Sequence, residues 1–467
     1  MSLRLQALPY TPDSSVLFEA LRHMPWPVFL DSGYPVSQQG RYDILAADPS
    51  QCLITRGHIT EVQRRDHRYT TSADPLDLLR QALAPGMLDV SDELPFHGGA
   101  IGYLGYDLAR AWLPLKQSVN HAGAMPDMAM GIYDWAIVVD HHDRSNWLVC
   151  GGQDPRSEQI LPDLLTALSR CNETALATPE TPSAEIVRHL TRQEYGERFQ
   201  QIQRYIREGD CYQVNFAQRF SLRTQMEPWG LYRRLRQANP APFSAYLEYP
   251  MGSVLSSSPE RFLRLQGDRV ETCPIKGTRP RSTDPLADLE LLRELSESPK
   301  DRAENVMIVD LLRNDLGRVC RVGSIEVPDL FQTESYAAVH HLVSRVTGTL
   351  AEESDGLDLL RACLPGGSIT GTPKLRAMQI IDELEDSPRG VYCGSIAYFD
   401  RTGVMDSNIA IRTLCMQNGQ VDFRVGGGIV ADSDESREYQ ETLDKAEAIF
   451  RALGRYPRKE IGVEGAG

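Results

Sequence analysis

Lys276 stands where a run of strand character, Val270 to Ile275, meets Gly277 and Thr278. A strand that ends in a glycine turn presents its last side chain and its backbone N–H groups at an edge. An amine beside exposed amide donors can act on an anionic substrate. A lysine is ordinarily a solvated surface charge, so its neighbours must make the case. Glu260 follows Ser258-Pro259 and lies between two apolar strand segments. It is either an exposed edge carboxylate or a partly buried acid with a raised pKa, the kind suited to general acid catalysis. Glu304 falls in helical register with Met307, Ile308 and Leu311 on a helix expected over 301–313. A carboxylate on an apolar helix face is costly unless it is paired or bound to metal, so Glu304 asks for a cation or for an arginine. Glu438, Glu441 and Lys445 fall within two turns of a last helix expected over 436–453. Glu441 and Lys445 form an i, i+4 pair of the ordinary surface kind. A second acidic helix set beside the first would still offer the oxygen ligands that suit Mg2+.

Glycine-rich turns must bring these side chains to a ligand. Pro365 to Lys374 combines three glycines with the hydroxyls of Ser368, Thr370 and Thr372 ahead of a helix expected over 375–385. Such a run at a helix N-terminus can cradle a carboxylate. Lys374 follows Thr-Pro rather than Gly, which excludes a Walker A loop. Gly426-Gly427-Gly428, after the strand Phe423–Val425, lets a ligand approach the backbone closely. His340 and His341 share a strand-like run, Val339–Val343, so alternation points one of them inward. A lone inward histidine is ordinarily a satisfied core residue. An amphipathic helix is expected over 192–208 and a half-buried strand over 211–220. Gly98 to Asp107 lacks both G-x-G-x-x-G spacing and G-K-[ST], so tight strand packing is the expected reason for its glycines. His141-His142 falls at the turn of a hairpin between Ala136–Asp140 and Trp147–Cys150 and is expected in a solvated loop.

Composition narrows the class. A chain of 467 residues, 41% hydrophobic and 24% charged, is expected to be a soluble globular protein with a large core. A net charge of −15 excludes a general nucleic-acid binder. It leaves room for an anionic substrate in a locally positive pocket. The nine cysteines form no C-x-x-C pair, which points to reduced thiols and away from zinc. Met1 to Leu30 lacks an apolar signal-peptide core and no run of 18 apolar residues occurs, so no membrane span is expected and the cytoplasm is the expected compartment. Residues 1–170 are expected to form one α+β region, 171–186 a Thr/Pro-rich linker, 187–455 the catalytic half and 456–467 a disordered tail.

The motifs Ser258-Pro259-Glu260, Pro274-Ile275-Lys276-Gly277-Thr278, Glu304 to Asp315, His341-Leu342-Val343-Ser344, Gly371-Thr372-Pro373-Lys374, Tyr392-Cys393-Gly394 and Gly426 to Lys445 occur together in this chain. With them it resembles the chorismate-utilising enzymes, the family of anthranilate synthase large subunits, aminodeoxychorismate synthase component I, and the isochorismate and salicylate synthases. The resemblance implies an α+β fold of two face-packed antiparallel β-sheets flanked by outer helices, the anthranilate synthase component I-like fold, with both halves of the chain in both layers. It implies Mg2+ held by Glu304 and Glu441 with Glu438 close by, the metal taking the ring carboxylate of chorismate. Gly277, Thr278, Tyr392, Arg412, the Gly426, Gly427 and Gly428 amides and Lys445 would hold the two carboxylates of the substrate. His341 would lie near the ring and its departing hydroxyl, and Thr370 and Lys374 near the site.

Two positions choose among the branches of the family. Gln213 stands where isochorismate-forming relatives carry a lysine base, and an amide cannot take a proton at neutral pH. Lys276 stands where anthranilate synthases carry alanine, and matches the aminodeoxychorismate branch. The resemblance therefore implies that Glu260 protonates the C4 hydroxyl of chorismate, that Lys276 attacks C2, and that ammonia then replaces the lysine by adding at C4. The chain has no evident glutaminase region, so ammonia is expected from a separate glutamine amidotransferase subunit. Ser32, Arg41, Tyr42, Pro242, Phe243 and Ser244 match the positions at which relatives hold tryptophan. Anthranilate synthesis is the alternative within the class. A silent binding subunit is the alternative outside it, disfavoured because Glu260, Lys276, Glu304, His341 and Glu441 are all present.

Overall fold

The computed structural model describes residues 3–37, 40–83, 94–116, 124–170, 185–335 and 339–454. The linker expected over 171–186 lies outside the described residues except for Glu185 and Ile186, as does the whole tail expected over 456–467.

Among the described residues, strand-forming segments from both ends of the chain assemble into two 12-stranded antiparallel sheets. In spatial order the first contains Arg4–Leu8, Ser145–Cys150, Trp135–Asp140, Tyr42–Ala46, Val28–Asp31, Phe243–Tyr249, Gly252–Ser258, Thr413–Gln417, Gln420–Ile429, Gln213–Arg223 and Val187–Arg188, with Gly371–Thr372 also paired to Gln213–Arg223. The second runs Ile275–Pro280, Val339–Thr349, Arg269–Thr272, Arg261–Gln266, Met405–Asn408, Ser395–Asp400, Gly99–Leu104, Met128–Tyr133, Gln51–Arg56, Ile59–Arg64 and Arg68–Thr71, with Glu326–Ser335 also paired to Val339–Thr349. Early and late segments thus share both layers, and the face-packed α+β architecture is as expected.

Alternating side chains give each sheet an inner apolar face. Val28, Ile44, Val138, Leu247 and Val254 of the first sheet meet Ile54, Ile101, Tyr103 and Ile396 of the second in one buried cluster. Each such side chain contributes roughly 1.5–3 kcal/mol on burial. Outside the first sheet, helices Pro228–Ala238 and Glu435–Leu453 bury Trp229, Tyr232, Ile449 and Phe450. Outside the second, helices Pro75–Leu83, Pro299–Leu316 and Gly356–Cys363 bury Leu76, Leu79, Val309, Leu316 and Leu360. Helix Arg192–Glu208 has the expected bounds because Thr191 and Glu194 form a reciprocal capping box and Gly209 takes φ 83° at the other end.

The Gly99–Leu104 strand bears out the packing expectation. A Cβ on Gly99 would stand 2.1 Å from the Phe399 carbonyl oxygen, and one on Gly102 would stand 2.1 Å from that of Ala129. Two histidine expectations need correction. His141 is buried rather than solvated: its Nε2 lies 2.8 Å from Asp43 Oδ2 and its Nδ1 3.1 Å from the Tyr10 hydroxyl. The hairpin lies inside the sheet, so its first turn residue packs on the neighbouring strand, and of the two histidines His142 is the exposed one. His340 and His341 are both buried, because strand Val339–Thr349 has paired strands and helices around it. His340 is taken up by Ser335 at 2.8 Å and Asp288 at 3.0 Å.

Candidate active site

Glu260 lies where the chain leaves one sheet for the other. Gly252–Ser258 belongs to the first sheet and Arg261–Gln266 to the second, so Pro259-Glu260 is the crossing. A second crossing, 409–412, runs beside it between Met405–Asn408 and Thr413–Gln417. The two are tied together: the Ser258 hydroxyl donates to the Ile409 carbonyl at 2.6 Å, and the Ile409 N–H donates to the Glu260 carbonyl at 3.1 Å. Glu260 is buried, and burial pushes its carboxyl above the usual range against the pull of Lys276, Ser368, Lys445 and Arg412.

Lys276 does not end a strand, as its glycine neighbour suggests; strand Ile275–Pro280 continues past it. Ile275 is opposite Val343 and Thr278 opposite His341, so one extra residue bulges out between them. Gly277, at φ 86°, makes that bulge possible. The Lys276 ammonium donates to the Ser368 carbonyl at 3.3 Å, and the Ser368 hydroxyl donates to Glu260 Oε1 at 3.1 Å. Burial lowers the pKa of Lys276, against the pull of Glu260 and Glu304. An acid inclined to stay protonated and an amine inclined to stay neutral therefore share one residue.

Around this pair, the Thr278 hydroxyl meets His341 Nδ1 at 2.9 Å. Burial first and Arg412 second bring the His341 pKa down to about 4, so the ring is neutral at neutral pH. Arg412 takes φ 51° at the second crossing and reaches Asn239 Oδ1 at 3.3 Å. Tyr392 is buried with the Arg389 guanidinium 5.8 Å from its ring centre. Arg389 in turn is paired with Glu385 at 2.6 Å.

The acidic side chains converge on the glycine strand. A Cβ on Gly427 would stand 3.2 Å from Glu438 Oε2, 3.8 Å from Glu441 Oε1 and 3.9 Å from Lys445 Nζ. The Lys445 ammonium pairs with Glu441 at 2.7 Å and donates to the Gly426 carbonyl at 3.1 Å. Burial raises the carboxyls of Glu304 and Glu438. Burial also pushes Glu441 upward, but Lys445, Lys300 and Lys276 together leave that carboxyl below its ordinary value. The ammonium of Lys300 stands 3.8 Å from Glu304 and 3.9 Å from Glu438, a cation between the two acidic helices. Among the described residues no three His, Cys, Asp or Glu side chains close into a metal-holding group.

Other expected site residues have partners of their own. Lys374 donates to Asp315 at 2.6 Å and to the Cys363 carbonyl at 2.9 Å, so its ammonium neutralises a buried carboxylate of helix Pro299–Leu316. The Thr370 hydroxyl donates to the Gly366 carbonyl at 2.9 Å and ties its own turn. Gln213 is fully buried beside Gly428, whose Cβ would stand 3.1 Å from Nε2. Ser244 sits opposite Asp31 in the sheet register, and a Cβ on Gly33 would be 3.0 Å from Ala241, so Ser32 and the 242–244 segment do come together. Arg41 pairs with Asp140 and Asp143, both at 2.8 Å, and its guanidinium lies 4.7 Å over the Tyr42 ring.

Ser368 and Lys300 escaped the sequence reading as site residues. Ser368 falls inside the glycine-rich run that can cradle a carboxylate, but its contacts with Lys276 and Glu260, about a hundred positions away, leave no periodic trace in the sequence. Lys300 had a weak signal in its i, i+4 spacing to Glu304.

The family model described as chorismate binding enzyme matches residues 36–451. Aminodeoxychorismate synthase component 1 from Klebsiella aerogenes is 46% identical over 456 residues, covering 97% of this chain and 99% of that protein. The protein of the same name from Escherichia coli (strain K12) is 46% identical over 441 residues, covering 93% and 95%. Anthranilate synthase component I from Streptococcus pneumoniae TIGR4 superposes with a TM-score of 0.79 at 32% identity, covering 88% of this chain and 92% of that one. The chain belongs to the family of chorismate-binding enzymes.

Proposed function

We propose that this chain is the chorismate-aminating component of an aminodeoxychorismate synthase, making 4-amino-4-deoxychorismate on the way to 4-aminobenzoate. The observation that carries the proposal is the meeting of Lys276 and Glu260 at Ser368, with burial favouring the neutral form of each. Near-full-length identity of 46% to proteins named for this activity supports it.

The chemistry uses both neutral forms. Glu260 gives its proton to the C4 hydroxyl while the Lys276 amine attacks C2; the double bonds shift and water leaves C4. Lys276 is then held at C2 as a secondary ammonium. Ammonia adds at C4, the C2–N bond breaks, and Lys276 departs as the free amine. The added nitrogen returns a proton to Glu260, so chorismate and ammonia become aminodeoxychorismate and water. Neutral His341, with Thr278 on its Nδ1, is assigned to the ring. Gly277, Thr278, Tyr392, Arg412, Lys445 and the Gly426–Gly428 backbone are assigned to the two carboxylates.

Glu304, Glu438 and Glu441 offer an all-oxygen donor set of the kind a hard divalent cation takes, and Lys300 between two of them marks a place where positive charge is favoured. Mg2+ bound by these carboxylates would neutralise the ring carboxylate of chorismate. Ammonia is assigned to a separate glutamine amidotransferase subunit. Ser32, Arg41, Tyr42, Pro242, Phe243 and Ser244 are assigned to a tryptophan pocket, which tryptophan calorimetry on the Ser32→Trp variant and the unaltered chain would test.

The deciding experiment incubates the chain with chorismate, Mg2+ and ammonium at high pH. A product that a separate lyase converts to 4-aminobenzoate, and a covalent adduct lost in Lys276→Ala, are expected. Direct release of pyruvate and anthranilate would establish the anthranilate alternative. No turnover, with chorismate binding intact, would leave a binding subunit.

A further inference from the structure

The turn 366–370 spends its backbone carbonyls in a way that singles out one residue. The Gly366 carbonyl accepts the Thr370 hydroxyl at 2.9 Å and the Ile369 N–H at 3.4 Å. The Gly367 carbonyl accepts the Thr370 N–H and hydroxyl, both at 3.3 Å. The Ile369 carbonyl accepts Arg389 Nη1 at 2.8 Å, and Arg389 is itself fixed by Glu385. The Thr370 carbonyl accepts the Asn215 N–H at 2.8 Å, so the turn is tied at four carbonyls without any use of Ser368. The Ser368 carbonyl is turned to Lys276 and its hydroxyl to Glu260. Ser368 is itself buried.

We infer that Ser368 is a positioning residue that aims both reacting groups, its carbonyl orienting the amine of Lys276 and its hydroxyl orienting the carboxyl of Glu260. This rests on the roles proposed above for those two residues. A carbonyl can only accept, so it takes one N–H of the amine, removes no proton and leaves the nitrogen lone pair to point elsewhere. A hydroxyl donating to Oε1 of a protonated carboxyl leaves the acidic proton on Oε2, where it can be handed to a leaving hydroxyl. Bringing amine and acid to one rigid turn fixes their separation before substrate arrives, which is the entropic part of catalysis. The groups facing Glu260 from the packed elements are Lys276 on strand Ile275–Pro280, Lys445 on helix Glu435–Leu453 and Arg412 at the second crossing.

The test is Ser368→Ala, which deletes the hydroxyl and keeps the carbonyl and the turn, alongside Ser368→Thr, which restores a hydroxyl. Turnover with chorismate, Mg2+ and ammonium should fall on the order of 10–100-fold in kcat for Ser368→Ala, a part of the usual general-acid contribution. KM for chorismate should stay within about twofold, and Ser368→Thr should recover most of the rate. The alkaline limb of kcat against pH, taken at constant free ammonia, should move upward in Ser368→Ala, because the hydroxyl favours the ionised carboxyl. A merely structural serine would not move that limb. An unimpaired Ser368→Ala, an unmoved limb, or a Ser368→Thr as slow as the alanine variant overturns the inference. Glu260→Gln and Lys276→Ala keep the two levels apart. If both are inactive while Ser368→Ala is normal, only the role of Ser368 fails; if both turn over normally, the proposed chemistry fails and the inference with it.

Discussion

Replacing Gly277 by alanine should silence turnover while leaving most of the fold intact. Gly277 takes φ 86°, where an L side chain costs about 1–2 kcal/mol. The added Cβ would stand 2.9 Å from Leu295 Cδ1 and 3.0 Å from Asp301 Cγ. Neither neighbour can retreat freely. Leu295 is fully buried and anchors helix Pro285–Glu297. Asp301 has its carboxylate on Arg279 at 3.1 Å and its N–H on Ser298 at 3.3 Å. Overpacking of that kind costs about 1–3 kcal/mol, so the local total is about 2–5 kcal/mol. Undoing the bulge is the direct way to relieve it, and that withdraws Lys276 from Ser368. At about 1.4 kcal/mol per decade, kcat/KM for chorismate should fall about 30-fold or more. Gly267→Ala is the matched control: φ is 62°, nothing lies within 4 Å of its Cβ, and it sits in a hairpin turn. It carries the backbone cost alone and should keep kcat/KM within about twofold, since surface changes are usually small. Steady-state kinetics with ammonium and thermal melts of both variants measure the contrast. A Gly277→Ala chain with near-normal turnover would refute the claim that the bulge aims Lys276.

Four further outcomes rest on the same geometry. With free ammonia held constant, kcat should fall on the acid side as pH drops through the depressed pKa of Lys276, which must be neutral to attack, and on the alkaline side as pH climbs through the raised pKa of Glu260, which must be protonated. Glu260→Gln should lose that alkaline limb together with about 10²–10⁴-fold of rate, and a limb that survives would assign the acid elsewhere. Glu438→Gln should weaken Mg2+ binding about 10–100-fold by calorimetry on the chain without substrate, and unchanged binding would remove Glu438 from the metal's surroundings. Lys374→Met should strip the buried Asp315 of its nearer partner, leaving Arg318 at 3.9 Å, and cost about 3–5 kcal/mol in thermal or denaturant unfolding, with KM for chorismate unchanged in the folded protein. A changed KM at unchanged stability would return Lys374 to the substrate.

Local physics made the scaffold legible and left its aim obscure. Helix Arg192–Glu208 and helix Pro75–Leu83 were readable residue by residue, because an apolar stripe and end signals act within one turn of the chain. Half-buried Glu304, in register with the buried Ile308 and Leu311 of its helix, is legible for the same reason. Helices Pro155–Arg170, Pro228–Ala238 and Pro285–Glu297 are not among the expected elements; each opens on a proline, as Pro75–Leu83 also does, and a proline by itself marks a turn as readily as a first helical residue. The burial of His141 and His340 and the contacts of Ser368 are not legible in the sequence because their partners lie on other elements, and a side chain's partner across a sheet is set by register rather than by its neighbours in sequence.

The two reacting groups of the proposed chemistry both occur where regular structure breaks. Within an unbroken strand, side chains alternate between two faces at a fixed rise, so a strand offers little freedom to bring an amine and an acid from separate elements to a common point. A bulge at Lys276-Gly277 and a sheet-to-sheet crossing at Pro259-Glu260 supply the missing freedom, and both lead to the turn that holds Ser368. Glycine at 277 and proline at 259 were visible in the sequence as breaks. Their meaning depends on the element that each break faces, which is why the residue types announced chemistry before the contacts could explain it.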